Sequence, residues 1–173
     1  LGGRARTLVR MIREPTLLAF STASSEAAYP RLLEVLEEFG VPRRIASFVL
    51  PLGYSFNLDG SMIYMTFATM FIAQAYGIDI SIGQQILMVL ILMVTSKGMA
   101  GVPRASLVVI AAVMGHFRIP EAGLLLILAV DQFLDMGRSG TNVIGNAVAT
   151  AVVAHWERTL APSKEALDLE RTA

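Results

Sequence analysis

The stretch that most constrains this 173-residue chain is Asp131-Gln132-Phe133-Leu134-Asp135-Met136-Gly137-Arg138-Ser139-Gly140-Thr141-Asn142-Val143-Ile144-Gly145-Asn146. An apolar run, residues 122–130, precedes it, and a second, residues 147–154, follows. Flanks and centre together exceed the roughly 20 residues that carry a helix across a bilayer. The centre nevertheless holds two Asp, an Arg, two Asn and three Gly. An ionisable side chain at bilayer depth costs at least ~2.5 kcal/mol, so such residues face a partner, a cavity or a ligand. Glycines loosen a helix and leave backbone groups free to bind. The expectation is a broken membrane helix with a polar binding site at mid-depth. The alternative is a soluble protein with a buried Asp135–Arg138 ion pair at i,i+3.

Composition argues against that alternative. Hydrophobic residues make up 54% of the chain and charged ones 16%, with mean hydropathy +0.60, too apolar for an ordinary soluble domain. Net charge is zero, and no basic stripe with interleaved aromatics suggests nucleic acid as a partner. The absence of cysteine removes disulfide frameworks and thiolate metal sites. His116 and His155 sit far apart near the ends of apolar segments, as interfacial residues do. The chain opens without Met or a signal-peptide pattern, since Arg4, Arg6, Arg10 and Arg13 precede no clean apolar core. It reads as part of a larger membrane protein.

In order, residues 1–14 form a basic lead-in expected on the cytoplasmic side. Residues 15–40 suggest a re-entrant hairpin: two short helices joined by Ser21-Thr22-Ala23-Ser24-Ser25, each too short to span. Taken alone, Ser24 or Ser25 reads more readily as an ordinary N-cap heading a helix with acidic residues after it. After the break at Gly40-Val41-Pro42-Arg43-Arg44, residues 42–76 read as an apolar helix interrupted by Asn57-Leu58-Asp59-Gly60-Ser61. Asn-x-Asp-Gly is a turn signal between soluble helices too, but uncharged apolar flanks argue for membrane depth. Residues 82–115 suggest a second hairpin, with its tip at Ser96-Lys97-Gly98-Met99-Ala100-Gly101-Val102-Pro103-Arg104. The opening segment becomes a second broken helix, 120–157, and residues 158–173 a charged cytoplasmic tail.

The order hairpin, broken helix, hairpin, broken helix is an internal repeat, and paired interrupted segments point to a transporter site. Threading the chain with residues 1–14 inside leaves only Arg118 among the basic residues outside, as the positive-inside rule asks. The halves then run in opposite orientations. The fold class expected is an all-α membrane protein built as an inverted repeat, multi-pass in the plasma (inner) membrane.

The four motifs, Ser21–Ser25, Asn57–Ser61, Gly98–Pro103 and Asp135-Met136-Gly137-Arg138 with Asn142, occur in an order and at separations that resemble the C-terminal half of the dicarboxylate/amino acid:cation symporter (glutamate transporter) family. The resemblance covers roughly residues 15–157. It implies the core of an elevator-type transport domain that slides against scaffold helices missing here, and a homotrimer when complete. Arg138 matches the position that holds a substrate side-chain carboxylate, for which a guanidinium is suited. Ser24, Ser25 and the tip amides would take the other carboxylate, Asp135 an amino group, and Ser139 and Asn142 the remaining shell. Met99, Gly101, Val102 and Pro103 would cover the site. Arg104 either reaches the site or is a surface charge.

For cation coupling the resemblance implies Gly53, Asn57, Asp59, Asn142, Asn146, Ser96 and Lys97, with Asn57 and Asp59 as the candidate sodium site. Asn146 stands where sodium-coupled members carry Asp, and the Lys97 ammonium lies close to where another sodium would bind. Both changes favour proton coupling through Asp59, Asp135 or Glu26. No cofactor is expected beyond the coupling H⁺ or Na⁺. The function expected is symport of glutamate or aspartate, with C4-dicarboxylates (succinate, fumarate, malate) as the alternative substrates. A membrane-embedded enzyme using Asp131, Asp135 and Arg138 lacks an evident nucleophile–base pair, and a channel suits the lid-like tips less well.

Overall fold

The computed structural model describes residues 1–98 and 103–162. All regular structure among them is helical: α1 Arg4–Met11, α2 Arg13–Thr22, α3 Tyr29–Phe39, α4 Arg43–Phe56, α5 Asp59–Ala75, α6 Ile82–Thr95, α7 Ala105–His116 and α8 Leu124–Trp156. Short 3₁₀ turns, Glu26–Ala28 and Ser96–Gly98, continue the chain after α2 and α6.

Local sequence explains many of the boundaries. Ser81 opens α6 with a capping box: its hydroxyl accepts from the Gln84 amide while the Gln84 side chain accepts from the Ser81 amide. Gly40 ends α3 at φ +107°, a left-handed conformation that favours glycine. Its carbonyl accepts from the Ala161 amide, so the residues after α8 return to this corner.

The basic lead-in is a helix packed on the core. Leu8 and Ile12 are buried, and Arg4 donates to the Phe39 carbonyl at 2.6 Å. At the start of α2, Arg31 bonds Glu14 and Glu34 and holds the exposed Glu14 carboxyl below its usual range.

Two apolar cores flank α8. One joins α1–α4 (Leu32, Leu36, Phe39, Leu50) to the C-terminal half of α8 through Val143, Ala147, Ala151 and Ala154. The other joins α5–α7 (Met65, Ile72, Met88, Ile110, Met114) to its N-terminal half through Ile127.

The two interrupted segments differ. The first is broken: α4 stops at Phe56, Asn57 and Leu58 leave helical geometry, and α5 starts at Asp59. The second is not. α8 runs 33 residues without a break, which corrects the expected broken helix over 120–157. Its polar residues follow the helical repeat: Asp131, Asp135, the adjacent Arg138 and Ser139, Asn142, Asn146 and Thr150 are all buried on one face. Their side chains do the bonding, so the backbone ladder needs no gap. Thr141 and Thr150 also donate back to the carbonyls of Gly137 and Asn146. No helix among the described residues is long and apolar enough to cross a membrane. The apolar α5 has 17 residues, and the longer α8 is diluted by its polar face.

Candidate functional site

A broken helix leaves orphan amides at one end and orphan carbonyls at the other. Here α8 and the 3₁₀ turn after α6 supply partners for both. Leu58, ahead of α5, offers no side-chain cap. Instead the Asn142 carboxamide oxygen accepts from the amides of Gly60 at 2.9 Å and Ser61 at 3.3 Å, and its nitrogen donates to the Ser61 hydroxyl at 3.0 Å. At the other end, Lys97 donates to the Phe56 carbonyl at 2.8 Å, with its ammonium 5.4 Å from the centre of the Phe56 ring. A cation there also answers the negative end of the α4 dipole. Close approach depends on glycines: a Cβ on Gly60 would strike the Arg138 carbonyl, and one on Gly53 the Asn146 side chain.

Next to this cap lies a charged cluster. Arg138 donates through Nε to Asp135 Oδ1 at 2.6 Å and through a terminal nitrogen to the Ser61 hydroxyl at 3.3 Å. Both charged side chains are fully buried. Asp135 Oδ2 accepts from the Arg104 backbone amide at 2.7 Å. One turn earlier, buried Asp131 accepts from the Tyr64 hydroxyl through Oδ1, and its Oδ2 lies 3.6 Å from Arg104 Nε. Ser61, touching both Arg138 and Asn142, links the cluster to the cap. Beside it a groove of about 530 Å³ opens between α5 and α8, lined by Tyr64, Phe67, Phe71, Phe133, Leu134, Arg138 and Thr141, among others.

The cation-coupling candidates form a second group at the break. The Asn57 carboxamide lies 3.2 Å from Asn146 Oδ1. Turned so that its nitrogen faces Asp59, it donates to that carboxylate at 2.9 Å, and its oxygen faces Asn146. With the Asn146 amide turned likewise, its nitrogen, otherwise without a partner, donates to that oxygen. In this arrangement the exposed Asp59 carboxylate faces the Asn57 amide nitrogen, so a cation beside Asp59 would gain the Asn57 oxygen, and with it a hard-oxygen donor set, only with that amide turned back. Buried Ser96 contacts Met62 in α5.

The structure thus brings Asp135, Arg138 and Asn142 together, and places Gly53, Asn57, Asp59 and Asn146 at one break. Lys97 joins them from the 3₁₀ turn after α6. Ser139 is buried with its hydroxyl unpartnered among the described residues, as is that of Ser25. Ser25 is tied instead through its carbonyl to Tyr54 in α4. Ser24 caps the following turn at the Ala27 amide. Met99, Gly101 and Val102 lie outside the described residues. Sequence reasoning gave no role to Ser61 or Tyr64, although Gly60, Ser61 and Tyr64 fall at helical spacing on one face of α5. It also left Arg104 undecided, and both its main chain and its side chain reach the acidic pair.

The sodium:dicarboxylate symporter family model matches residues 1–156. The chain belongs to this family. It is 54% identical over 164 residues to the proton/glutamate-aspartate symporter of Escherichia coli (strain K12), covering 95% of the chain and 37% of that protein. Against the proton/sodium-glutamate symport protein of Bacillus subtilis (strain 168) the identity is 50% over 153 residues, 88% of the chain and 36% of the relative. Against C4-dicarboxylate transport protein 2 of Mesorhizobium japonicum it is 50% over 168 residues, 96% and 38%. The chain therefore spans little more than a third of the length of these curated relatives. All three are named as transporters, not enzymes.

Proposed function

We propose that this chain is the core of an elevator-type transport domain in a multi-pass inner-membrane symporter that carries glutamate or aspartate with protons. The observation that carries the reading is the fully buried Arg138–Asp135 pair, set against Ser61 and Asn142 at a helix break. A buried ion pair is poor evidence of stability, because desolvation offsets its attraction. A family of acidic-solute symporters gives it a use. The substrate side-chain carboxylate would bind Arg138, and its ammonium would take the Asp135 oxygen now bonded to the Arg104 amide. The second carboxylate would meet Ser24, Ser25 and nearby amides, with Ser139 and Asn142 completing the shell. Large apolar side chains such as Phe48, Phe67, Ile82, Val108 and Leu125 stand exposed, as suits contact with lipid and with scaffold helices of a homotrimer.

Proton coupling is supported by Asn146 in place of an acid and by Lys97 on the α4 carbonyl end, both of which weaken sodium binding. Asp59, Asp135 and Glu26 are the candidate carriers. The test is uptake of labelled L-aspartate into sealed vesicles holding the protein at its full encoded length. A pH gradient should drive accumulation. Accumulation driven by a sodium gradient alone would overturn proton coupling, and none under either gradient would overturn acidic amino acid symport.

One observation favours C4-dicarboxylates as a second reading. A carboxylate left uncompensated at Asp135 would repel a dianion, but Asp135 has both oxygens engaged by donors. Competition between L-aspartate and succinate separates the two.

A further inference from the structure

Arg104 holds a backbone conformation that offers no advantage to arginine. Its φ is +64°, in the left-handed region where glycine rests without strain and a side chain does not. Its side chain is 60% exposed, so burial does not explain it either. What the side chain adds is a charge. Arg104 Nε lies 3.6 Å from Asp131 Oδ2, a buried oxygen with no hydrogen-bond partner among the described residues. Asp131 and Asp135 stand at i,i+4 on one face of α8, where like charges repel. Arg138 offsets one of them. With Arg104 the cluster of two carboxylates and two guanidiniums is neutral; without it, one negative charge remains.

We propose that Arg104 is a specificity-determining residue: by compensating Asp131 it keeps the cluster neutral, and so allows a dianionic solute beside Arg138 as well as a zwitterionic one. This rests on the preceding reading, that an acidic solute binds at Arg138. Aspartate carries two carboxylates and an ammonium, which can face an acidic cluster. Succinate carries two carboxylates and nothing to face it. Removing the Arg104 charge therefore penalises succinate more than aspartate. A residue that merely fixed the start of α7 would weaken both by the same factor, so the ratio of affinities distinguishes the two roles.

The experiment displaces labelled L-aspartate with unlabelled L-aspartate or succinate, using the protein at its full encoded length. Wild type should respond to both. Arg104→Gln should lower the affinity for succinate relative to aspartate by about fivefold, the upper range for a largely exposed pair. Arg104→Lys should keep the ratio, and adding Asp131→Asn to Arg104→Gln should restore it. Because Arg104→Gly relieves the left-handed strain, it should reproduce the shift in a variant that folds at least as well. An unchanged ratio in Arg104→Gln, a loss that Asp131→Asn does not restore, or a wild type that binds aspartate but ignores succinate would overturn the proposal. A wild type that binds neither would overturn the preceding reading, and this one with it.

Discussion

Between Phe56 and Asp59 the backbone leaves the helix, whereas from Leu124 to Trp156 it never does, although both stretches carry Asp, Asn and Gly between apolar flanks. The difference lies in which groups bond across. At the α4–α5 break the main chain itself is on offer: the Phe56 carbonyl and the amides of Gly60 and Ser61. In α8 only side chains are on offer, on one buried face. One segment exposes backbone and the other supplies the side chains that satisfy it. The two are complementary parts of one site rather than two copies of one device.

The comparison can be broken most severely at Arg138. Arg138→Met leaves Asp135 buried beside only the Arg104 amide, and should lower stability by about 3–5 kcal/mol, read by thermal unfolding of the purified protein. Asn142→Leu removes the cap supplied across the site. With two amides losing their acceptor and the Ser61 hydroxyl keeping only Arg138 as a donor, about 1–3 kcal/mol should be lost, and hydrogen exchange at Gly60 and Ser61 should accelerate. Asn142→Asp keeps the acceptor and should preserve exchange protection at those two amides. A loss confined to α8 in the Leu variant would show that Asn142 does not cap α5.

How much of this was legible in the residues depends on the segment. Asn57-Leu58-Asp59-Gly60 reads as a break because Asn, Asp and Gly bond locally in turns, and the chain obeys that local rule. Asp131 to Asn146 uses the same residue types, yet whether Gly140 and Gly145 open a helix depends on what packs on them. That information is carried by Thr16 and Asp59, far away in the chain. The periodicity of Asp131, Asp135, Asn142 and Asn146 is the sign of a continuous helix that the sequence carries, and three glycines in the same stretch point the other way. Arg138 and Asp135 were legible as a pair from their spacing alone. Tyr64 was not, since its role depends on Asp131 reaching it from α8.

Two smaller effects sharpen the comparison. Gly137 has nothing within 4 Å of where a Cβ would stand, so in an unbroken helix Gly137→Ala should stabilise by about 0.5–1 kcal/mol; a required hinge there would make the same change harmful. Lys97→Met removes the cation from the α4 end and should lower stability by about 0.3–1 kcal/mol, measured by thermal unfolding, with the effect shrinking as salt is added. Smallest of all is the pH response of the Arg31–Glu14 pair. With the Glu14 carboxyl lowered by Arg31, its contribution is present above the unfolded value and lost as pH falls through the lower folded one. Arg31→Ala should therefore change the unfolding temperature slightly at neutral pH and not at all in strong acid.

The most direct test is calorimetric titration of L-aspartate into the protein at its full encoded length, beside the Arg138→Lys variant. Lysine keeps the charge and loses the planar fork. If Arg138 grips the solute carboxylate, wild type binds with measurable heat and the lysine variant binds at least about tenfold more weakly while remaining folded. Equal affinities in the two proteins would contradict the account.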